Sequence, residues 1–210
     1  VLSKGTKVGA PQYTVEELTA LIDEAHSRGL KVASHAHGAE GIINALIAGA
    51  DTIEHASFID EEGIRLAIQN KAALTMDIYV TEYILGEGAS AGILEESLEK
   101  ERMTGATQRS NFRKAVEAGA TIVFGTDAGV YPHGQNAKQF SRMTRFGMTP
   151  LQALQSATTV AADVMGLGYE VGKIEAGYAA DFVAVVGNPI EQIELLEAPS
   201  AVIKGGVRYR

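Results

Sequence analysis

The sequence predicts an α/β fold built on a parallel sheet, and three observations carry that expectation. Runs with helical apolar periodicity alternate with short apolar runs. Three of the helical runs close on the same phrase, a Gly followed by an apolar step toward the next strand: Arg28-Gly29-Leu30, Ala48-Gly49-Ala50 and Ala118-Gly119-Ala120. The phrase marks a repeated supersecondary unit rather than a solenoid. The 210 residues, 46% hydrophobic and 21% charged, also supply a core for one domain, or one and a part. Strands separated by helices form βαβ units, whose strands run parallel. The spacing suits a doubly wound sheet and a (β/α) barrel alike. No G-x-G-x-x-G follows a strand, which disfavours the dinucleotide-binding version.

Thr14 caps the first helix, and Glu17, three residues on, completes a capping box. Leu18, Leu21, Ile22 and Ala25 give that helix an apolar face, and Gly29 ends it. Lys31 to His37 reads as the first strand. Ala39 to Ala48 is helical, with Gly49 as its stop. Thr52 to His55 is the second strand, Asp60 caps a helix through Asn70, and Ala73 to Tyr79 is the third strand. Residues 80–95 read as a loop, of a length that often serves function. A long helix from Glu96 to Ala118 precedes Gly119, and Thr121 to Asp127 is the fourth strand. A polar loop, Ala128 to Asn136, leads to a helix over Ala137 to Phe146. A second helix is capped by Thr149 with Pro150 at its first position, and a short third runs through Met165. Beyond residue 166, Gly168, Gly172 and Gly177 punctuate the chain. Asp181 to Val186 and Ala201 to Lys204 are strands without a long covering helix, so they form a small second β unit. The expected division is residues 1–166 and 167–210.

Composition excludes several functions. With no Cys there are no disulfides, thiolate zinc sites or cysteine nucleophiles. A net charge of −8 argues against nucleic acid as a partner. No apolar run approaches a bilayer span, and no basic, cleavable leader opens the chain. A cytoplasmic protein without a membrane partner is expected. The chain opens on Val1 rather than Met, so its true start is expected upstream, which leaves periplasmic and secreted locations open.

Chemistry collects at the strand ends, where α/β folds place their sites. Of the five His, His26 lies on a helix with no apparent partner and reads as a surface residue. His35 and His37 are two apart on one strand and share a face. Two imidazoles against a helix layer would be costly polar burial, whereas in a barrel mouth they form a metal or proton-transfer site. His55 ends the next strand, and Asp127 ends the fourth behind the small Gly125. Imidazole with carboxylate suits a divalent metal such as zinc, which lowers the pKa of a water to about 7. Asp127 can take that water's proton and pass it to a leaving amine. No G-x-S-x-G elbow is present, which disfavours a serine hydrolase.

Val32 to Gly38, Asp51 to Ala56, Gly125 to Asp127 and Gly177 to Val183 occur in that order over nearly the whole chain. Together they resemble the amidohydrolase superfamily, and within it the imidazolonepropionase-like and prolidase-like dipeptidases. The resemblance implies a metal-dependent hydrolase on a (β/α)8 TIM barrel, with this chain as its second half, strands five to eight, and the returning strands of a small β-sandwich. Carried over residue by residue, it implies His35 and His55 as metal ligands, and Asp127 as both ligand and proton shuttle. His37 is a close neighbour of the ligands. It implies one or two divalent ions, and a dipeptide of Xaa-Pro or Xaa-Arg/Lys type or another small amide as substrate. Tyr79, ending the third strand, and His133, in the loop after Asp127, are candidates with His37 for contacting substrate.

The family's first strand carries a His-x-His pair and its fourth a Lys, carboxylated in binuclear members; neither is present. Lys4 and Lys7 lie in sequence resembling the loop after the fourth strand and cannot be that ligand. The first four strands and the leading sandwich strands are therefore expected upstream, so this chain alone would be catalytically incomplete. A homo-oligomer is also expected. Two alternatives stand beside the dipeptidase. His37-Gly38-Ala39-Glu40 resembles the His-x-x-Glu of deaminase branches, which keeps open a one-metal deaminase or an imidazolonepropionase-like cyclic-amide hydrolase. A non-catalytic half-barrel is the other, whose two open sheet edges would need a partner.

Overall fold

The computed structural model describes residues 5–210, so Val1 and Lys4 lie outside the described residues. The chain is α/β. The helix α1 (Val15–Ser27) starts on the Thr14 capping box, and Glu17 Oε2 accepts the Thr14 N–H at 2.9 Å. The strand β1 (Ala33–Ala36) follows, then α2 (Ala39–Ala48), which stops at Gly49 in the left-handed region. Next come β2 (Thr52–His55), α3 (Glu61–Asn70, capped by Asp60) and β3 (Ala73–Thr75). The three strands pair in parallel in the order β1-β2-β3. His26 is not partnerless, as its sequence context implied: its Nε2 lies 2.9 Å from Asp51 Oδ2. Asp51 also accepts the Val32 N–H at 2.7 Å, and so ties the end of α2 to the entry of β1.

Register decides what each face of the sheet carries. Ser34, Ile53 and Leu74 are aligned, and Ile53 and Leu74 are fully buried against the helices with Ile42, Leu46, Phe112 and Met143. Each such side chain contributes roughly 1.5–3 kcal/mol by leaving water. One residue on, His35, Glu54 and Thr75 are aligned and face the other way.

Three expectations are corrected here. The third strand ends at Thr75 rather than Tyr79. Beyond it, the amide of the fully buried Gln139 takes the place of a strand neighbour: Nε2 donates to the Met76 carbonyl and Oε1 accepts the Tyr79 N–H, both at 2.8 Å. The segment expected as a loop contains α4 (Val80–Gly86), because Val80, Tyr83 and Ile84 share one face and are buried. Residues 121–127 form no regular strand. Ile122 makes an isolated parallel bridge to Leu74, after which the Phe124 N–H turns to the Ser156 carbonyl. Gly125 then passes so close to Thr75 that a Cβ on it would sit 2.2 Å from the Thr75 methyl.

The remaining helices are α5 (Glu95–Glu117), α6 (Lys138–Arg145), α7 (Pro150–Ser156, on a second capping box from Thr149) and α8 (Thr159–Val164). The tail forms an antiparallel sheet of β4 (Phe182–Ala184), β5 (Ala201–Lys204) and β6 (Val207–Arg208), one strand more than the sequence suggested. Between β4 and β5 a 3-10 turn, Ile193–Glu197, packs on α6, and Arg142 Nη1 lies 3.7 Å from Glu197. Among the described residues no helix is long and apolar enough to cross a membrane.

Candidate active site

His35, His37 and His55 stand together at the carboxyl ends of β1 and β2. The His35 ring is edge-on to the other two, with centroids 4.9 Å from His37 and 4.5 Å from His55, and His37 stacks on His55 at 4.6 Å. His35 and His37 share a face by strand parity, as their spacing predicted. His55 arrives differently. It pairs in register with Ala36, so regular strand geometry would aim it at the helices. Its φ of 66° swings the side chain to the other side, and Ala56 follows at 47°. Asp127 is also left-handed, at 50°. Each such non-Gly residue costs on the order of 1–3 kcal/mol, and such strain gathers where a side chain must be aimed.

Asp77 completes the set, and the sequence reading missed it. It is 4% exposed, and its Oδ2 lies 3.0 Å from His55 Nδ1. The available signal was parity: Asp77 alternates with Thr75 and Tyr79 in an apolar run, a carboxylate on the same face as a candidate site. Gln108 of α5 donates from Nε2 to Asp77 Oδ1 and to the His55 carbonyl, both at 3.1 Å. Asn111 donates to the Ser57 carbonyl at 3.0 Å, and Ser57 Oγ lies 2.9 Å from His37 Nδ1. Glu101 and Thr104 continue this polar face of α5, and Thr81 donates to Glu101.

A cavity of about 540 Å³ is lined by the three histidines, Asp77 and Asp127, with an apolar side that includes Val80 and Ile84. Burial lowers the His35 pKa, and so does the neighbouring His55. The same two causes bring His37 down to about 3. Burial also works against a charged His55, but the hydrogen bond and charge of Asp77 outweigh it and hold His55 above its ordinary value. Burial and Asp77 push Asp127 up, opposed by His55. Burial would raise Asp77 too, but the His55 hydrogen bond prevails and holds it low.

The donor set fits a divalent metal ion. His35, His37 and His55 each offer a ligand atom within 4.8 Å of the others, and so do His55, Asp77 and Asp127. Neutral His35 and His37 keep their lone pairs, as ligation requires. The other candidates lie apart. Tyr79 caps α4, and its hydroxyl donates to Gln135 Oε1 at 2.9 Å rather than lining the cavity. His133 is exposed in the loop after Asp127 and does not line the cavity. Glu40 sits in the first turn of α2, also outside the lining.

The chain resembles known proteins over nearly its whole length. Residues 1–208 match the Amidohydrolase family. Ochratoxinase of Aspergillus niger is 32% identical over 215 residues, covering 100% of this chain and 44% of that protein. A solved Xaa-Pro dipeptidase with methionine bound in its active site is 41% identical, with a TM-score of 0.94, over 100% of this chain and 52% of that one. A prolidase complexed with N-methylphosphonate-L-proline is 28% identical, with a TM-score of 0.92, over 99% of this chain and 52% of that one. The chain thus spans about half the length of these relatives, or less.

Proposed function

This chain belongs to the amidohydrolase family, and from that premise we propose that it is part of a metal-dependent hydrolase that cleaves an amide bond of a small substrate, a dipeptide of Xaa-Pro or Xaa-Arg/Lys type. The carrying observation is the meeting of His35, His37, His55 and Asp127 around one cavity. In this reading the parallel sheet and residues 121–127 are strands five to eight of a (β/α)8 barrel. Residues 1–166 make up that half-barrel and residues 167–210 contribute returning strands of a sandwich. The remaining barrel strands, and the ligands they carry, lie in the rest of the protein.

His35, His55 and Asp127, which line one cavity, would hold the metal, and zinc would suit their nitrogen and oxygen donors. Such an ion supplies Lewis acidity and makes water acidic near neutral pH. Asp77 lies 3.0 Å from Nδ1 of His55 and would fix its tautomer, which would leave Nε2 free to ligate. Asp127 would take the proton of the attacking water and deliver it to the leaving amine, and it lines the cavity in which both would lie. His37, tied to Ser57, presents its remaining ring nitrogen toward the substrate. Val80 and Ile84 give the substrate an apolar wall and exclude water. Glu40, the proton carrier the deaminase alternative would use, does not line the cavity, which favours the amide-hydrolase reading.

The test is hydrolysis of Xaa-Pro and Xaa-Lys dipeptides by the full-length protein, before and after removal of metal with a chelator. Amine release that disappears on chelation and returns with zinc supports the reading. No cleavage of either dipeptide, or ammonia release from cyclic amidines, overturns it.

A further inference from the structure

The helix α5 carries a buried polar face. Glu101, Thr104, Gln108 and Asn111 follow one another at helical spacing, and each is between 2% and 8% exposed. Gln108 spends its amide on two acceptors of different kinds, the Asp77 carboxylate and the carbonyl of the left-handed His55. Asp77 in turn reaches His55 Nδ1. The three residues thus form a closed loop: Gln108 to the His55 backbone, Gln108 to Asp77, and Asp77 to the His55 ring. A backbone in a costly conformation persists only where its surroundings over-determine it; here the Ala56 N–H donates to the Ala36 carbonyl and Gln108 donates to the His55 carbonyl. From this loop we infer that Gln108 is a positioning residue. Its amide fixes the turn at His55 and the rotamer of Asp77 together, and so presents the His55 ring to the cavity in one tautomer.

The inference rests on the metal-dependent reading only for its catalytic consequence, since the hydrogen-bonded loop exists without a metal. Replacing Gln108 by an apolar residue leaves Asp77 Oδ1 and the His55 carbonyl without that donor. The left-handed turn then relaxes, and the His55 ring exchanges between tautomers. Hydrogen bonds that orient a metal-binding side chain typically carry about 10–100-fold in metal affinity, and Gln108 acts on His55 through its carbonyl and through Asp77.

The experiment compares the wild-type full-length protein with Gln108→Met, Gln108→Glu and Asn70→Ala. Asn70 is an exposed residue whose amide donates to the Leu46 carbonyl, remote from the site. Nitrogen NMR of labelled histidines in metal-free protein reads the His55 tautomer, competition against a chelator reads zinc affinity, and thermal melting reads the fold. At a pH high enough to leave His55 neutral, the wild type is expected to show one His55 tautomer, protonated at Nδ1. Gln108→Met is expected to mix the tautomers and weaken zinc about 10–100-fold. Asn70→Ala is expected to lose stability with neither change. If Gln108→Met does not fold, Gln108→Glu, which keeps the reach and removes the donor, carries the comparison. A Gln108 variant that folds and keeps both the single tautomer and wild-type zinc affinity overturns the inference. So does an Asn70→Ala variant that shifts them equally. Should the wild type bind no zinc and cleave no amide, the functional reading fails, while the tautomer measurement still decides the role of Gln108.

Discussion

Asp77 Oδ2 lies 3.0 Å from His55 Nδ1, and both side chains are nearly closed to solvent, at 5% and 14%. A carboxylate at that atom decides which His55 nitrogen carries the proton. Asp77→Asn nearly preserves shape but can donate to Nδ1, which moves the proton to Nε2. The expected result is a folded protein whose metal affinity is about 10–100-fold lower, measured by competition against a chelator. An Asp77→Asn protein with undiminished affinity would show that Nε2 is not the ligating atom.

Asp127→Asn should separate binding from chemistry. The substitution keeps an oxygen donor but removes the proton carrier. A kcat loss of about 10²–10⁴-fold is expected, larger than any change in KM, with metal still bound to the full-length protein. Equal changes in kcat and KM would place Asp127 in substrate binding instead.

The fold was legible wherever one residue's pattern sufficed. The capping boxes at Thr14 and Thr149, the glycine stop at Gly49 and the shared face of His35 and His37 depend on local spacing alone. What the sequence hid depends on distant partners. The third strand stops at Thr75 because Gln139, more than sixty residues on, takes up its next backbone groups. His55 was legible as a strand-end candidate, but its aim into the site comes from a positive φ that its strand register gives no hint of. Asp77 sits in an apolar run, where its partners His55 and Gln108 come from other elements. The polar face of α5 is diluted among the many exposed charges of a long helix, so its period is visible only once burial is known.

Asp51 provides a pH-dependent stability test away from the metal candidates. Burial works against its charge, but the Val32 N–H and His26 lower its pKa on balance. An acid with a lowered folded pKa stabilises the fold above its unfolded pKa, near 3.8, and the contribution fades as pH falls through the folded value. Asp51→Ala should cost about 1 kcal/mol at pH 7, since solvent screens part of the interaction. Urea unfolding at successive pH values should show that gap closing below about pH 4. A gap that is constant from pH 7 to pH 3 would mean that packing, not charge, is what Asp51 contributes.

Gly125 and Thr75 test how Asp127 is placed. Gly125 carries no positive φ, so an alanine there meets no backbone penalty of that kind. Its cost is steric: the new Cβ would lie 2.2 Å from Thr75 Cγ2 but 3.6 Å from Thr75 Cβ. Gly125→Ala must therefore push residues 121–127 away from β3, or turn Thr75 out of its rotamer. Overpacking of this kind costs about 1–3 kcal/mol. Because Asp127 lies two residues on, the displacement should also weaken metal binding. Thr75→Ser removes the clashing methyl and keeps the hydroxyl. The double variant should accordingly recover most of both losses, a coupling that independent destabilisation would not produce. Chemical denaturation and chelator competition on the wild type, both single variants and the double variant complete the cycle. Strictly additive effects would show that the close approach of Gly125 to Thr75 does not set the position of Asp127.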